Sequence, residues 1–298
     1  MSSNNNSARP KLACEIASDR ILAGRIADDG TGLEACSARE LAPGSVVPDL
    51  VENNLRQADA VRSAIEDALG SVGGRSKDVI AIVPDATVRV VLLEFDTLPS
   101  DDEEAAGVVR FRLKKSLPFD VDKAKVSYHA QKSGEGMKVV AAVSLASVIE
   151  DYEKAFREAG FNPGVVLPSM LAALGAAEGK KPTLVVKVDT RTTSIAILSE
   201  GQLQLFRTLE NARGVTISGE QLAEEVYPSV VFFQDTYHLN IEQIYVSGLA
   251  DSTSAVPALK AQTGAEVQEL VAPSMLGAAS GGSIPRWRMG GVVGALLS

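Results

Sequence analysis

Two stretches of this chain repeat one pattern, and that repetition limits the folds open to it. "LACEIASDRILAGRIADDG", residues 12–30, reads as an apolar strand, a tight turn at Ala17-Ser18-Asp19-Arg20, a second strand and a turn at Asp28-Asp29-Gly30. A third strand runs on toward Ala38. After Pro182, "TLVVKVDTRTTSIAILSEGQLQLFRTL" gives strand, tight turn, strand, a turn at Glu200-Gly201 and strand again. A meander with an apolar face needs a helix layer to cover it. Two of them, about half a chain apart, therefore predict an α/β protein of two duplicated lobes. The first turn has the shape of a phosphate-gripping hairpin. It lacks the glycine that close approach of backbone to phosphate favours.

Between the meanders the chain alternates helix and strand signals. A helix is predicted over Ala58 to Leu69, with Leu55, Val61, Ile65 and Leu69 near one face, running out in Gly70-Ser71-Val72-Gly73-Gly74. "DVIAIVP" is a short apolar strand. The next block, Thr87 to Phe161, has β-α-β-β-α order and reads as a small α+β subdomain inserted in the larger fold. It opens with "VRVVLLEF". Its first helix has Ser100 as the predicted N-cap, an acidic first turn at Asp101 to Glu104 and a basic end at Arg110, Arg112, Lys114 and Lys115. Acid first and base last suits the helix dipole. Ser147-x-x-Glu150 reads as a capping box opening a helix with Val148, Ile149, Tyr152, Phe156 and Ala159 on its apolar side, stopped by Gly160.

In the second half, Ser218-x-x-Gln221 is another capping box, and Tyr227-Pro228 is expected to interrupt its helix, with a restart at Ser229. "IEQIYVSGLAD" is a strand entering a turn at Gly248, and Trp287 to Leu297 a short apolar helix returning to the first lobe. The expected organisation is a disordered start over 1–11, the first lobe over 12–86 with its return at 162–182, and the insert over 87–161. The second lobe, with a shortened cleft subdomain, covers 183–286, and the closing helix 287–298.

Charge and composition exclude several classes. The formal net charge is −9 and the pI near 4.9, so nothing drives the whole protein toward nucleic acid or anionic lipid. Taken alone, the basic run Arg110 to Lys115 reads as a helix end. Cys14 and Cys36 are too few for a disulfide framework or a zinc site. No signal peptide and no apolar run near the roughly 20 residues of a spanning helix is found, so a soluble cytoplasmic protein is expected. His129 reads as an edge-strand residue and His238 as a helix-end residue, neither in a triad. Neither the P-loop pattern nor G-x-G-x-x-G occurs.

The order of several segments resembles the PilM family of actin-like pilus assembly proteins, and more distantly the cell-division protein FtsA. "LPFDVDKAKVSYHA" is similar to the family's proline-phenylalanine segment. "EDYEKAFREAGFNPGVV" is similar to the helix and exit that follow, and "IYVSGLAD" and "RMGGVVGALLS" to the late strand-turn and final helix. The resemblance spans residues 12–298 and implies an actin-like fold with an inserted subdomain. It also implies a scaffold at the cytoplasmic face of the type IV pilus inner-membrane platform. Such a scaffold binds the N-terminal tail of a PilN-like bitopic protein in a groove where the first lobe meets the insert. The GspL-like cytoplasmic component of type II secretion has a related role. The first meander and "VRVVLLEF" are the expected walls of the groove, with Arg89 and Phe95 as candidate contacts.

The resemblance also locates a nucleotide site, and this chain departs from it. Where the family's first turn resembles Asp-x-Gly-Ser, here stands Glu15-Ile16-Ala17-Ser18, with only Ser18 kept. The second turn places Lys187 and Asp189 at the acid and glycine positions. Shifted by two, it makes Asp189 the acid, followed by Thr190-Arg191-Thr192. A lysine at a metal-side position repels Mg²⁺. At the third site, Gly248-Leu249 replaces a Gly-Gly pair. Ser18, Asp189, Thr192, Thr193 and Gly248 are thus the remnant of a nucleotide site. A non-catalytic protein without cofactor or metal is expected, the alternatives being an active ATP- and Mg-binding ATPase and a sugar- or acetate-kinase-like enzyme.

Overall fold

The computed structural model describes residues 9–134 and 136–298. Most of the expected disordered start lies outside them. Of its last residues, Arg9 donates to the carbonyl of Ala295 (2.8 Å) and Lys11 pairs with Asp28 (2.6 Å).

Both meanders form, and each becomes half of a five-stranded sheet. In the first lobe, β1 (Leu12–Ile16) and β2 (Arg20–Ile26) are antiparallel neighbours, β3 (Leu33–Glu40) flanks β2, and β4 (Asp78–Val83) runs parallel to β1. With β8 (Asn162–Pro168) the order is β3-β2-β1-β4-β8. The second lobe has β9 (Thr183–Val188), β10 (Thr192–Ser199), β11 (Gln202–Glu210), β12 (Gln243–Ser247) and β13 (Glu266–Glu269), in the order β11-β10-β9-β12-β13. The two orders are the same permutation, with the same parallel and antiparallel partners at each step.

Helices cover the sheets in layers. α1 (Ala58–Val72) and α3 (Ala146–Glu158) bury Val61, Ile65, Leu69, Tyr152 and Phe156 against one face of the first sheet. Each such side chain contributes roughly 1.5–3 kcal/mol through burial. The one polar end in this layer is matched, since Tyr152 donates its hydroxyl proton to Asn54 Oδ1 (3.1 Å). The short α4 (Ser169–Ala173) and the closing α7 (Gly290–Leu297) lie between the sheets, sharing a core with Ala13 and Ile80 on one side and Val185 and Tyr245 on the other. α5 (Gly219–Tyr237) and α6 (Ser252–Thr263) cover the outer face of the second sheet.

The insert is a three-stranded sheet, β5 (Arg89–Phe95), β7 (Gly136–Leu145) and β6 (Ala124–Ser133), in the order β5-β7-β6 and covered by α2 (Asp102–Leu113). Its core ends at Val143, short of the expected boundary at Phe161. α3 turns its apolar side to α1 and the first sheet, so 146–161 packs in the first lobe.

Three local expectations change. The cap of α2 is Asp101 and not Ser100, its carboxylate accepting from the N–H groups of Glu103 and Glu104 (both 3.0 Å). Ser147 caps nothing, because β7 runs through Leu145 directly into α3 and leaves Ser147 already inside the helix. Pro228 does not interrupt α5: buried Leu222, Val226, Val230 and Phe233 hold both sides of it on one face, and tertiary packing overrides the missing N–H donor. The Ser218 box forms in full, Ser218 Oγ accepting from the Gln221 N–H (3.2 Å) and Gln221 Oε1 from the Ser218 N–H (3.3 Å). Ser218→Ala is expected to cost about 1 kcal/mol, read as a lowered denaturation midpoint at unchanged slope.

Candidate functional site

The hairpins of the two lobes close in the same way. The Ala17 N–H donates to the Arg20 carbonyl (2.9 Å), and the Asp189 N–H to the Thr192 carbonyl (2.7 Å). Two residues before each closing bond stand Glu15 and Lys187, so they occupy equivalent positions in the two halves. They also meet: Lys187 Nζ lies 3.4 Å from Glu15 Oε1 and 3.8 Å from Asp189 Oδ2, with both main partners buried. This first choice of turn register, Lys187 at the acid position, is therefore the structural one.

More buried polar groups surround the pair. Ser169 Oγ donates to Glu15 Oε1. Asp85, at the end of β4, accepts from the Met170 N–H (2.7 Å) and, across the lobes, from Ser194 Oγ (2.8 Å). Arg20 is buried beside Asp19 (2.7 Å). Burial alone lowers the Lys187 pKa, but the carboxylates of Glu15, Asp189 and Asp85 more than offset it and hold the ammonium above its ordinary value. Asp189 is the converse case: burial raises it, yet Lys187, Arg20 and the Thr190 N–H keep it below the usual carboxylate range. Asp85 is pushed up by burial against the opposing pull of Lys187.

This donor set does not suit a magnesium ion bridging phosphates. The point between Glu15 and Asp189 already holds a cation, the Lys187 ammonium, tethered by its own side chain. A second cation there meets like charge at short range. Of the predicted remnant residues, Thr193 and Gly248 are otherwise engaged. Thr193 Oγ1 accepts from Asn211 Nδ2 (3.0 Å). Thr192 faces a groove described below, and Ser18 is half-buried in its turn. Gly248 has φ +85°, and a Cβ there runs into the Val188 carbonyl; its N–H donates to the Trp287 carbonyl (2.8 Å). Close strand packing is reason enough for that glycine. Among the described residues, no group of three or more His, Cys, Asp or Glu is arranged to hold a metal ion. Cys14 is buried, and burial pushes its thiol pKa up, away from nucleophilic use. His129 is exposed on β6, and His238 ends α5 in a left-handed conformation.

Two grooves flank the insert. One, of about 460 Å³, lies where the insert meets the first lobe, between β6 and β8, the outer strands of their sheets. Val88, Val126, Ala142, Ile149 and Val166 supply its apolar lining. Arg110 and the Lys125–Glu153 ion pair (3.0 Å) add its charges. The other, about 730 Å³, lies between β5 and β11, and it is this one that Arg89 and Thr192 line. Phe95 lines neither: it packs in the core of the insert, with the Arg112 guanidinium carbon 5.4 Å from its ring centre. Of the expected walls, "VRVVLLEF" lends Val88 to both grooves and Arg89 to Leu92 to the larger one, while the first meander lines neither. The lining residues in β6 and β8 carry no local sequence signal, because strand order alone decides which edges meet.

A PilM–PilN type IV pilus biogenesis complex aligns with 97% of this chain and 98% of its own, at 18% identity and a TM-score of 0.78. A Bacteroides thetaiotaomicron protein with an actin-like ATPase fold and unknown function covers 94% of this chain and 98% of its own, at 12% identity and a TM-score of 0.56. The fold is actin-like. The cytoplasmic domain of EpsL, an inner membrane component of the type II secretion system of Vibrio cholerae, shares it at 12% identity, with 93% and 96% coverage and a TM-score of 0.52. No family model matches the chain. No curated protein matches it. The duplicated lobes and inserted subdomain expected of the actin-like fold are therefore present. In this version of it, the lobes meet through an ion pair of the chain's own making.

Proposed function

We propose that this chain is a non-catalytic scaffold of a type IV pilus or related secretion platform, held at the cytoplasmic face of the inner membrane through its partners. In this reading the groove between β6 and β8 takes the N-terminal cytoplasmic tail of a PilN-like bitopic membrane protein. The observation that carries it is the groove itself: two outer strands, each with one edge free of any partner strand, line it together over an apolar floor. An extended peptide satisfies such edges with its main chain and places alternate apolar side chains on the floor. The likeness to the PilM–PilN complex supports the choice of partner. The Lys187–Glu15 pair supports the absence of nucleotide chemistry, since it fills the cleft with a fixed cation.

No helix among the described residues is long and apolar enough to cross a membrane, which suits attachment through a partner. Isothermal titration tests the reading directly. A tail peptide is expected to bind with a micromolar Kd, and Mg-ATP to give no saturable heat. Micromolar ATP binding would overturn the reading of the cleft, and a silent peptide titration that of the groove.

A further inference from the structure

The basic run at the end of α2 does more than complement the helix dipole. Phe111 is 75% exposed, the most of any exposed large apolar residue among those described, the rest lying between 37% and 49%. Exposed Arg112, Lys114 and Lys115 follow it. Arg110 points inward, donating to the Val121 carbonyl (3.0 Å), and Arg112 leans over Phe95. Neither Lys114 nor Lys115 has an ion-pair partner among the described residues. The acids of α2, Asp101 to Glu104, lie seven or more residues back, about 10 Å along the axis. Asp120 and Asp122 follow in the chain, Asp120 engaged in accepting from the Asp122 N–H (3.1 Å). A cationic spot on a protein of net charge −9 turns that side of the molecule toward a negative surface.

We propose that the C-terminal half of α2, with Phe111 at its centre and Arg112, Lys114 and Lys115 around it, rests on an anionic lipid bilayer. Charge selects the negative surface, and one protruding ring enters the headgroup boundary. A bilayer fits better than an acidic protein because only Val108, 37% exposed, extends the apolar area beyond the ring. The well-packed apolar centre of a stable protein interface is missing. The surface adjoins the tail groove, since Arg110 lines that groove and Phe111 is the next residue. A membrane protein's tail held there brings this turn of α2 toward its membrane. The lipid contact itself does not depend on the tail and is testable without it.

The full chain is mixed with phosphatidylcholine vesicles, with or without about 40% phosphatidylglycerol, at roughly 50 mM and roughly 500 mM salt, and sedimented. Binding is expected with the anionic vesicles at low salt, and its loss in high salt. Each of Lys114→Glu and Lys115→Glu is expected to weaken partition about fivefold or more. Phe111→Ser should weaken it at low salt with the melting temperature unchanged, as suits an exposed site. Wild-type protein left in the supernatant, or variants that sediment as the wild type does, would overturn the proposal. So would a patch that binds polyglutamate while ignoring the vesicles.

Discussion

Lys187→Met is expected to cost about 3–5 kcal/mol of unfolding free energy at neutral pH. Methionine matches the length of lysine but carries no charge, so Glu15 and Asp189 would face each other across the cleft with their shared counter-ion gone. Glu15 is poorly placed to absorb this: its Oε2 already has no hydrogen-bond partner and sits against α7, where a Cβ on Gly291 would lie 2.8 Å away. Neutralising both ends tells pairing from packing. Glu15→Gln with Lys187→Met should recover most of the loss, because that pair is then neutral and Asp189 keeps the Arg20 guanidinium as its counter-charge. Urea denaturation of the four proteins of this cycle gives the numbers. A Lys187→Met protein as stable as the wild type would show that the lobes are held by something else.

The same cluster has a definite pH signature. The Asp189 pKa is depressed in the fold, so its stabilisation is in place above the unfolded value near 4 and is lost as pH falls below it. The Lys187 pKa is raised, so its stabilisation is in place below the unfolded value near 10.4 and is lost as pH climbs through the folded one. Between about pH 5 and pH 9 these two groups leave the stability of the closed cleft flat.

Ser127→Arg is expected to weaken tail-peptide binding about a hundredfold, near 2.7 kcal/mol, without disturbing the fold. Ser127 is exposed on β6 and lines the groove, so a long charged side chain there lies across the apolar floor the peptide needs. His129→Arg on the same strand is the control. It stands two residues along the same face, exposed and outside the groove, and should leave the titration unchanged. Equal affinities for the wild type and Ser127→Arg would place the tail elsewhere, with the larger groove between β5 and β11 as the next surface to probe.

The sequence showed the fold where a single element carries its own pattern. Both hairpins, the Ser218 box and the apolar closing helix could be read directly, and so could the matching positions of Glu15 and Lys187 in their hairpins. What it hid depends on which elements meet. The apolar side of α3 was plain, but not that it faces α1 rather than the small sheet. β8 begins Asn-Pro-Gly and α6 contains Pro257, local signals that argue for loops and that packing overrules. The groove between β6 and β8 was hidden for the same reason: strand order decides which edges are free, and no residue in β5 or β6 announces its neighbour. Ser147-x-x-Glu150 has the letters of a cap, yet the strand before it leaves no turn for one.

The position of α7 bears on how the chain folds as it is made. Both five-stranded sheets are encoded before residue 290, yet the layer between them is completed by residues 290–297. Ala13 and Val185, on facing sheets, therefore remain without their full cover until that segment leaves the ribosome. During translation the nascent chain carries two finished outer faces and an open apolar interior, the period in which chaperone contact has most to protect.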